Sequence, residues 1–115
     1  MCSSDLESQK AIADYNQAIL LNPNYAEAYY NRGVAYDDLG EYQKAITDYN
    51  QAIRLNPNDA DAYELRGANY VLLEEYQKAI ADLQKAETLF QQQGDTARAK
   101  KVKELVDELI KLLSK

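Results

Sequence analysis

Closely spaced carboxylates are the side chains of this sequence that come nearest to catalytic or metal-binding chemistry. Asp37-Asp38 and Glu74-Glu75 have the composition of an acid–base pair, but neighbouring residues of a helix point in different directions. The oxygen-rich segment 56–61 resembles a calcium loop, yet it lacks the glycine and the closing glutamate of such loops. A turn with helix-capping residues is the better interpretation of that segment.

The sequence lacks several features on which enzymes commonly depend. There is no histidine, the single cysteine is Cys2, and no glycine-rich phosphate loop follows a predicted strand. General acid–base, nucleophilic and metal-centred catalysis therefore lack their usual components. The sequence predicts a protein that is not an enzyme, with no catalytic, cofactor-binding or metal-binding residues.

Charge and hydropathy narrow the range of partners. The formal net charge of −6 argues against nucleic acid, because phosphate binding needs clustered lysine and arginine. No apolar run reaches the roughly 18 to 20 residues that span a bilayer, so a cytoplasmic protein is expected. An alternative remains open, since Met1-Cys2-Ser3-Ser4 resembles the start of a mature bacterial lipoprotein anchored through Cys2.

A block of seven residues recurs at a fixed interval and determines the expected architecture. Gln9–Tyr15 returns as Gln43–Tyr49 and again as Gln77–Leu83, with a constant 34-residue period. A strict period of this length is typical of stacked helical pairs, in which neighbouring repeats share an extended core. Such arrays present a long surface for binding instead of a closed pocket.

Each repeat is predicted to contain two helices joined by a short turn. The first helix has a face of residues spaced by three and four: Tyr29, Gly33, Tyr36 and Leu39, then Tyr63, Gly67, Tyr70 and Leu73. The second helix has a corresponding face: Tyr42, Ala45, Tyr49 and Ala52, then Tyr76, Ala79, Leu83 and Ala86. Two facing stripes predict an antiparallel hairpin. Glycine costs about 1 kcal/mol inside a helix, so Gly33 and Gly67 indicate close approach of the paired helix, near Ala45 and Ala79.

Proline and glycine mark where the helices stop. Pro23 and Pro57 each lie within Asn-Pro-Asn after an apolar helix end, where proline cannot continue the helix. The third copy has Gln91 at this position, so its second helix is expected to continue through Gln92 and Gln93 until Gly94 supplies a left-handed cap. The regular array is predicted to end there.

A last amphipathic helix, capped by Asp95 or Thr96, is expected to cover the final repeat. The fold class predicted is therefore all-α: an α–α superhelix of antiparallel helix hairpins with two full repeats, an N-terminal half-repeat helix and a C-terminal capping helix. Its segments are 1–25 (half repeat), 26–59 and 60–93 (repeats) and 94–115 (capping helix).

By its position in the 34-residue period, the N-terminal segment corresponds to the second helix of a repeat, and no first helix precedes it in the sequence. Ser4 and Glu7 have the spacing of a capping box, which predicts a helix from about Asp5 to Leu21. Its apolar strip is expected to meet water unless another chain covers it. This strip is the candidate self-association surface, and it consists of Ala11, Tyr15 and Ala18.

The residues at this period resemble the signature of tetratricopeptide repeats, with tyrosine in place of the usual first tryptophan. The likeness covers residues 9–90 and rests on Tyr29, Gly33, Tyr36, Ala45, Tyr49, Ala52 and Pro57, then Tyr63, Gly67, Tyr70, Ala79, Leu83 and Ala86. The departures are Arg32 and Arg66 where the family commonly has leucine, Glu74 where Gly40 predicts glycine, and Gln91 in place of proline.

This resemblance implies a right-handed superhelix whose first helices line a concave groove for an extended or helical peptide. A stripe on the first helices, about one quadrant from the core face, supplies the candidate peptide-binding residues. They are Glu27, Tyr30, Val34, Asp37, Asp61, Glu64, Ala68 and Val71. Four carboxylates predict selectivity for a basic or amphipathic peptide. The alternative is that these carboxylates form a solvated face that favours solubility.

The best-known groove chemistry of the family is a clamp of lysine, asparagine and arginine that holds the C-terminal carboxylate of chaperones. The resemblance places its lysine and asparagine at Tyr30 and Val34, and the second repeat's asparagine at Leu65. None of these matches, so that activity is not carried over to this sequence.

Two functions therefore stay open. The first is a non-catalytic module that binds a protein or peptide partner, basic or amphipathic, in an acidic groove. The second is a self-assembling or engineered minimal repeat scaffold that forms homo-oligomers through its unpaired N-terminal helix. The identity of 14 of 17 positions between residues 9–25 and 43–59 is compatible with recent duplication or with design.

Overall fold

Residues 3–115 form six α-helices and no β-strand in the computed structural model, which describes side chains from Asp5 onward. The helices are α1 (Ser3–Leu21), α2 (Ala26–Asp38), α3 (Tyr42–Leu55), α4 (Ala60–Leu72), α5 (Tyr76–Gln92) and α6 (Thr96–Leu113). This arrangement confirms the predicted all-α fold of helix hairpins. Helix α1 begins earlier than predicted, at Ser3, which places Ser4 inside the helix instead of at its cap. Helix α5 ends at Gln92, one residue before the predicted Gln93.

Three helices end in the same backbone motif. At the end of α2 the Gly40 N–H donates to the Asp37 carbonyl at 2.9 Å and the Glu41 N–H donates to the Tyr36 carbonyl at 2.9 Å. These two bonds define a Schellman motif, which needs a left-handed residue at its centre. Gly94 has this role after α5, with φ of 80°, and confirms the predicted extension of α5. Glu74 is the left-handed residue of the motif after α4, with φ of 62°.

Aspartates begin two of the helices. The Asp59 carboxylate accepts a hydrogen bond from the Ala62 N–H at 3.1 Å, which confirms the capping interpretation of segment 56–61. Burial raises the pKa of Asp59 above its ordinary value, although the backbone hydrogen bond opposes the shift. Asp95 caps α6 in the same way by accepting from the Arg98 N–H at 3.1 Å.

The chain divides into two units, and the first, residues 1–57, contains α1 to α3. Helix α2 lies against both α1 and α3. Ala45, Tyr49 and Ala52 of α3 are completely buried. A Cβ atom on Gly33 would lie 2.6 Å from Cε1 of Tyr49, so the glycine permits the predicted close approach of α3, with the Tyr49 ring as its nearest neighbour.

The second unit, residues 58–115, contains α4 to α6, and α5 lies against both of the others. Its core joins apolar side chains of all three helices: Ala60, Ala79, Leu83, Ala86, Leu89, Phe90, Ala99, Val102, Val106 and Leu109. A Cβ atom on Gly67 would lie 2.9 Å from Cγ of Leu83 and 3.3 Å from the Ala79 carbonyl oxygen. Helix α6 covers the last hairpin through its residues in this core, whereas its Leu105 and Leu113 are exposed.

Candidate peptide-binding site

The first unit carries four of the predicted peptide-binding residues, all on α2. Glu27 lies in the first turn and is exposed. Tyr30 and Val34 are half-buried, and the ring of Tyr30 lies 6.0 Å from the ring of Tyr49 at an angle of 54°. This face therefore presents an exposed carboxylate, an aromatic ring and an aliphatic side chain.

Asp37 stabilises the hairpin of the first unit. The Tyr49 hydroxyl donates to Oδ2 of Asp37 at 2.6 Å. Burial, together with this hydrogen bond and the nearby negative charge, raises the pKa of Tyr49 above its ordinary value of 10. Asp37 thus satisfies the hydroxyl of a buried tyrosine, a role that the helical pattern alone did not indicate.

The second unit carries the other four predicted residues, all on α4. Asp61 and Glu64 are half-buried, and both form ion pairs with Arg98 of α6, with 3.0 Å between Nη2 and Oε1 of Glu64. The Arg98 guanidinium carbon lies 4.3 Å from the centre of the Phe90 ring. Ala68 and Val71 are half-buried, and Val71 packs against the core of the unit. An arginine thus already lies against the carboxylates predicted to bind a basic partner.

The arginines that depart from the family pattern form ion pairs within their hairpins. In the first unit, Nε and Nη2 of Arg32 donate to the two carboxylate oxygens of Asp48 at 2.8 and 2.6 Å. Nη1 of Arg32 also donates to Oδ1 of Asn16 on α1 at 2.8 Å. The hydrogen bond from Arg32 to Asp48 raises the pKa of the arginine above its ordinary value. This arginine therefore links all three helices of the unit.

The second unit repeats the pair with Arg66 and Asp82, at 2.7 Å for each of the two hydrogen bonds. Sequence reasoning missed both pairs. A signal was nonetheless available, because arginine and aspartate both recur at the 34-residue period and keep the same separation in each repeat. In an antiparallel hairpin this separation brings the two side chains together across the helix interface.

The predicted self-association residues lie on α1 in the first unit. Ala11, Tyr15 and Ala18 are half-buried, and Ala11 and Tyr15 line a cavity of about 260 Å³ between α1 and α2. Self-association through them stays a prediction.

Other kinds of site find no support in the part of the chain that is described. No group of three or more histidine, cysteine, aspartate or glutamate side chains is arranged to hold a metal ion there. None of the described helices is long and apolar enough to cross a bilayer. Cys2 lies outside the described residues, so the lipid-anchor hypothesis stays a prediction.

Comparison with known protein families agrees with this geometry. A "TPR repeat" model matches residues 7–40, and "Tetratricopeptide repeat" models match residues 26–59 and 60–93. The chain belongs to the tetratricopeptide repeat family. Members of this family are typically non-catalytic protein-interaction modules.

Solved tetratricopeptide structures share the fold over most of the chain. The TPR2B domain of yeast Sti1, solved in complex with pHsp70, is 26% identical with a TM-score of 0.83, over 92% of this chain and 85% of that one. The TPR domain of Arabidopsis OM64 is 30% identical with a TM-score of 0.78, over 89% of this chain and 82% of that one. No curated protein sequence matched the chain.

A third tetratricopeptide structure contains a bound acidic peptide. The second TPR of Spaghetti (RPAP3), bound to the HSP90 peptide SRMEEVD, is 28% identical with a TM-score of 0.70, over 71% of this chain and 76% of that one. The positions that the family resemblance assigns to a carboxylate clamp hold Tyr30, Val34 and Leu65 in this chain. None of these side chains supplies a positive charge.

Proposed function

We propose that this tetratricopeptide protein is a non-catalytic interaction module that binds a basic or amphipathic peptide along its first helices. Glu27, Asp61 and Glu64 are the charge partners in this proposal. The apolar contacts are Tyr30, Val34, Ala68 and Val71. The yeast Sti1 and Spaghetti domains, which were solved with bound partners, support peptide binding as the general function.

The contact of Arg98 with Asp61 and Glu64 is the observation that carries the preference for basic peptides. Two carboxylates converge on one guanidinium group, which also packs over the Phe90 ring. Arginine is well suited to this environment because its planar group can stack on a ring while it donates several hydrogen bonds. A peptide arginine that reached these carboxylates would find the same chemistry in place of Arg98.

The charge of the proposed site predicts a ligand preference that differs from that of relatives that bind acidic peptides. The peptide SRMEEVD carries three carboxylate side chains. Glu27, Asp61 and Glu64 would repel such a ligand, and like charges facing each other across an interface cost affinity. A short acidic peptide is therefore expected to bind this chain more weakly than a basic peptide of the same length.

Titration of two matched peptides tests the proposal. One peptide alternates lysine or arginine with leucine, and the other has glutamate in place of each basic residue. The basic peptide should shift backbone amides of α2 and α4 with weak affinity, because a single short peptide buries less than a standard interface. Higher salt should weaken this binding, since exposed charges are screened. Equal binding of the two peptides, or no shifts on α2 and α4, would contradict the proposal.

Three variants locate the contact. Asp61→Asn with Glu64→Gln should weaken binding of the basic peptide, whereas Glu104→Gln with Glu108→Gln removes the same charge from α6 and should not. Arg98→Gln should strengthen binding because it frees the two carboxylates for the ligand. A pull-down with the intact chain and with a variant reversed in charge at Glu27, Asp61 and Glu64 extends the test to natural partners.

A further inference from the structure

Helix α1 presents a face whose equivalents in the two hairpins are covered by another helix. By the 34-residue period, Tyr15 corresponds to Tyr49 and Leu83, which are completely buried. Tyr15 is only half-buried. Asp14, at the position equivalent to Asp48 and Asp82, is exposed and has no ion pair with any residue from Asp5 to Lys115. Helix α1 therefore carries the aspartate and the large side chain of the repeating interaction, but the described residues supply no arginine that pairs with this aspartate.

The hairpins show what covers this face elsewhere. In the first unit, α2 places Arg32 on the Asp48 carboxylate and Gly33 against the Tyr49 ring. In the second unit, α4 places Arg66 on Asp82 and Gly67 against Leu83. Both covering helices thus use a consecutive arginine and glycine. The arginine reaches the carboxylate, while the absence of a Cβ atom on the glycine lets the neighbouring large side chain approach.

A cavity marks the corresponding place beside α1. Its volume is about 260 Å³, and its lining includes Ala11 and Tyr15 of α1 with Val34 and Ala35 of α2. Two carboxylates, of Glu7 and Asp38, also line it. Apolar walls with nearby acidic groups suit one face of an amphipathic helix that carries a positive charge.

We propose that this face of α1 and the adjoining cavity bind a helix of a partner protein that contains an Arg-Gly step. The partner arginine pairs with Asp14, and the glycine packs against Tyr15. The proposal is independent of the charge contacts of the peptide site on α2 and α4, because it uses a different carboxylate on a different helix.

The sequence argues against a second copy of this chain as the occupant. Its two Arg-Gly steps are already used in the hairpins of α2 and α4. The positions 34 residues after Arg66 and Gly67 lie on α6, and they hold Lys100 and Lys101 instead of an Arg-Gly step. A side chain at the glycine position would collide with the large residue opposite, as the distances of 2.6 and 2.9 Å at Gly33 and Gly67 indicate.

A helix-stabilised peptide with the sequence of residues 26–39 serves as the probe, since isolated helices of this length are marginal in water. Its Glu27, Asp37 and Asp38 are replaced by glutamine and asparagine, so that the arginine is the only charged side chain of the peptide. Titrated into the full chain, it should shift the amides of Asp14, Tyr15 and Ala11. Replacing the peptide's arginine with glutamine should weaken binding roughly tenfold, as expected for a charge-assisted hydrogen bond. Replacing its glycine with leucine should abolish binding.

Variants of the chain complete the experiment. Asp14→Asn, at an exposed position, should weaken binding of the peptide as much as replacing the peptide's arginine does. The two changes together should weaken binding no further. Asp61→Asn with Glu64→Gln, and separately Glu108→Gln, should leave binding unchanged. Absence of shifts on α1, or equal binding of the leucine peptide, would overturn the proposal. Self-association of the chain that Asp14→Asn abolishes, measured by light scattering, would also overturn it because a second copy would then cover the face.

Discussion

Arg66 and Asp82 form a two-point ion pair across the α4–α5 hairpin, with both donor–acceptor distances at 2.7 Å. Arg32 and Asp48 form the same pair across the α2–α3 hairpin. The aspartates are buried, with 6% and 2% of Asp82 and Asp48 exposed. A buried carboxylate depends on its partner because transfer from water to the interior removes its hydration.

Removing one partner of the Arg66–Asp82 pair should lower the free energy of unfolding more than replacing both partners. Arg66→Leu restores the residue common in the family but leaves the Asp82 charge unpaired, and we expect it to lower the free energy of unfolding by about 3 kcal/mol. Arg66→Leu with Asp82→Leu should recover most of that loss. Urea denaturation measures both. Lys78→Met, which breaks the exposed pair with Glu75, is the control and should have no measurable effect.

The left-handed backbone of Glu74 should make its replacement by glycine favourable. Glu74 occupies the centre of a Schellman motif with φ of 62°, where side chains other than glycine are strained. Glu74→Gly should raise the free energy of unfolding by about 1 kcal/mol. Gly40→Ala, at the equivalent position with φ of 75°, should lower it by a similar amount. The two substitutions should change the free energy of unfolding in opposite directions. A loss of stability in Glu74→Gly would contradict the expectation.

Adding a methyl group at Gly33 should destabilise the protein even though alanine favours helices. Its Cβ would lie 2.6 Å from Cε1 of Tyr49, a buried ring whose hydroxyl is held by Asp37. We expect Gly33→Ala to lower the free energy of unfolding by about 2 kcal/mol, because overpacking outweighs the gain in helix propensity. Ala81→Gly on the exposed face of α5 is the comparison, and its loss of about 1 kcal/mol reports propensity alone. Thermal or chemical denaturation measures both variants.

Tyr49 should make the stability of the chain sensitive to alkaline pH. Burial and the Asp37 hydrogen bond raise its pKa in the folded state, so the folded protein keeps the phenol proton when the unfolded chain releases it. This stabilisation is complete below the unfolded pKa of about 10 and is lost progressively as the pH rises above it. Tyr49→Phe should show a shallower decline of the free energy of unfolding above a pH of about 10 than the parent chain. Equal slopes for the two proteins would rule out this role for Tyr49.

The helices could be predicted from the sequence because local signals determine them. The 34-residue period, the Asn-Pro-Asn stops and Gly94 placed the helix ends close to those observed, including the longer α5. The role of Asp37 could not be predicted in the same way. A residue near the boundary between two faces of a helix can point to a ligand or to its own hairpin, and only the rotation of the packed helix decides between them.

The ion pairs show a different limit of sequence reasoning. Arg32 and Arg66 were recognised as departures from a family pattern, but their partners lie on the other helix of each hairpin. Pairing them requires the register of the hairpin, which follows from the packing of Gly33 and Gly67 against large side chains. Arg98 presents the same difficulty, because the position of α6 beside α4 brings it to Asp61 and Glu64.

The placement of both members of each ion pair within one hairpin affects how such a protein can change in length. Arg32 and Asp48 lie in the same 34-residue segment, and so do Arg66 and Asp82. A gene duplication or deletion of one whole segment would therefore add or remove a neutralised pair together. Copy number can therefore vary during evolution without leaving a buried ion unpaired, because each segment carries the same two residues at the same separation.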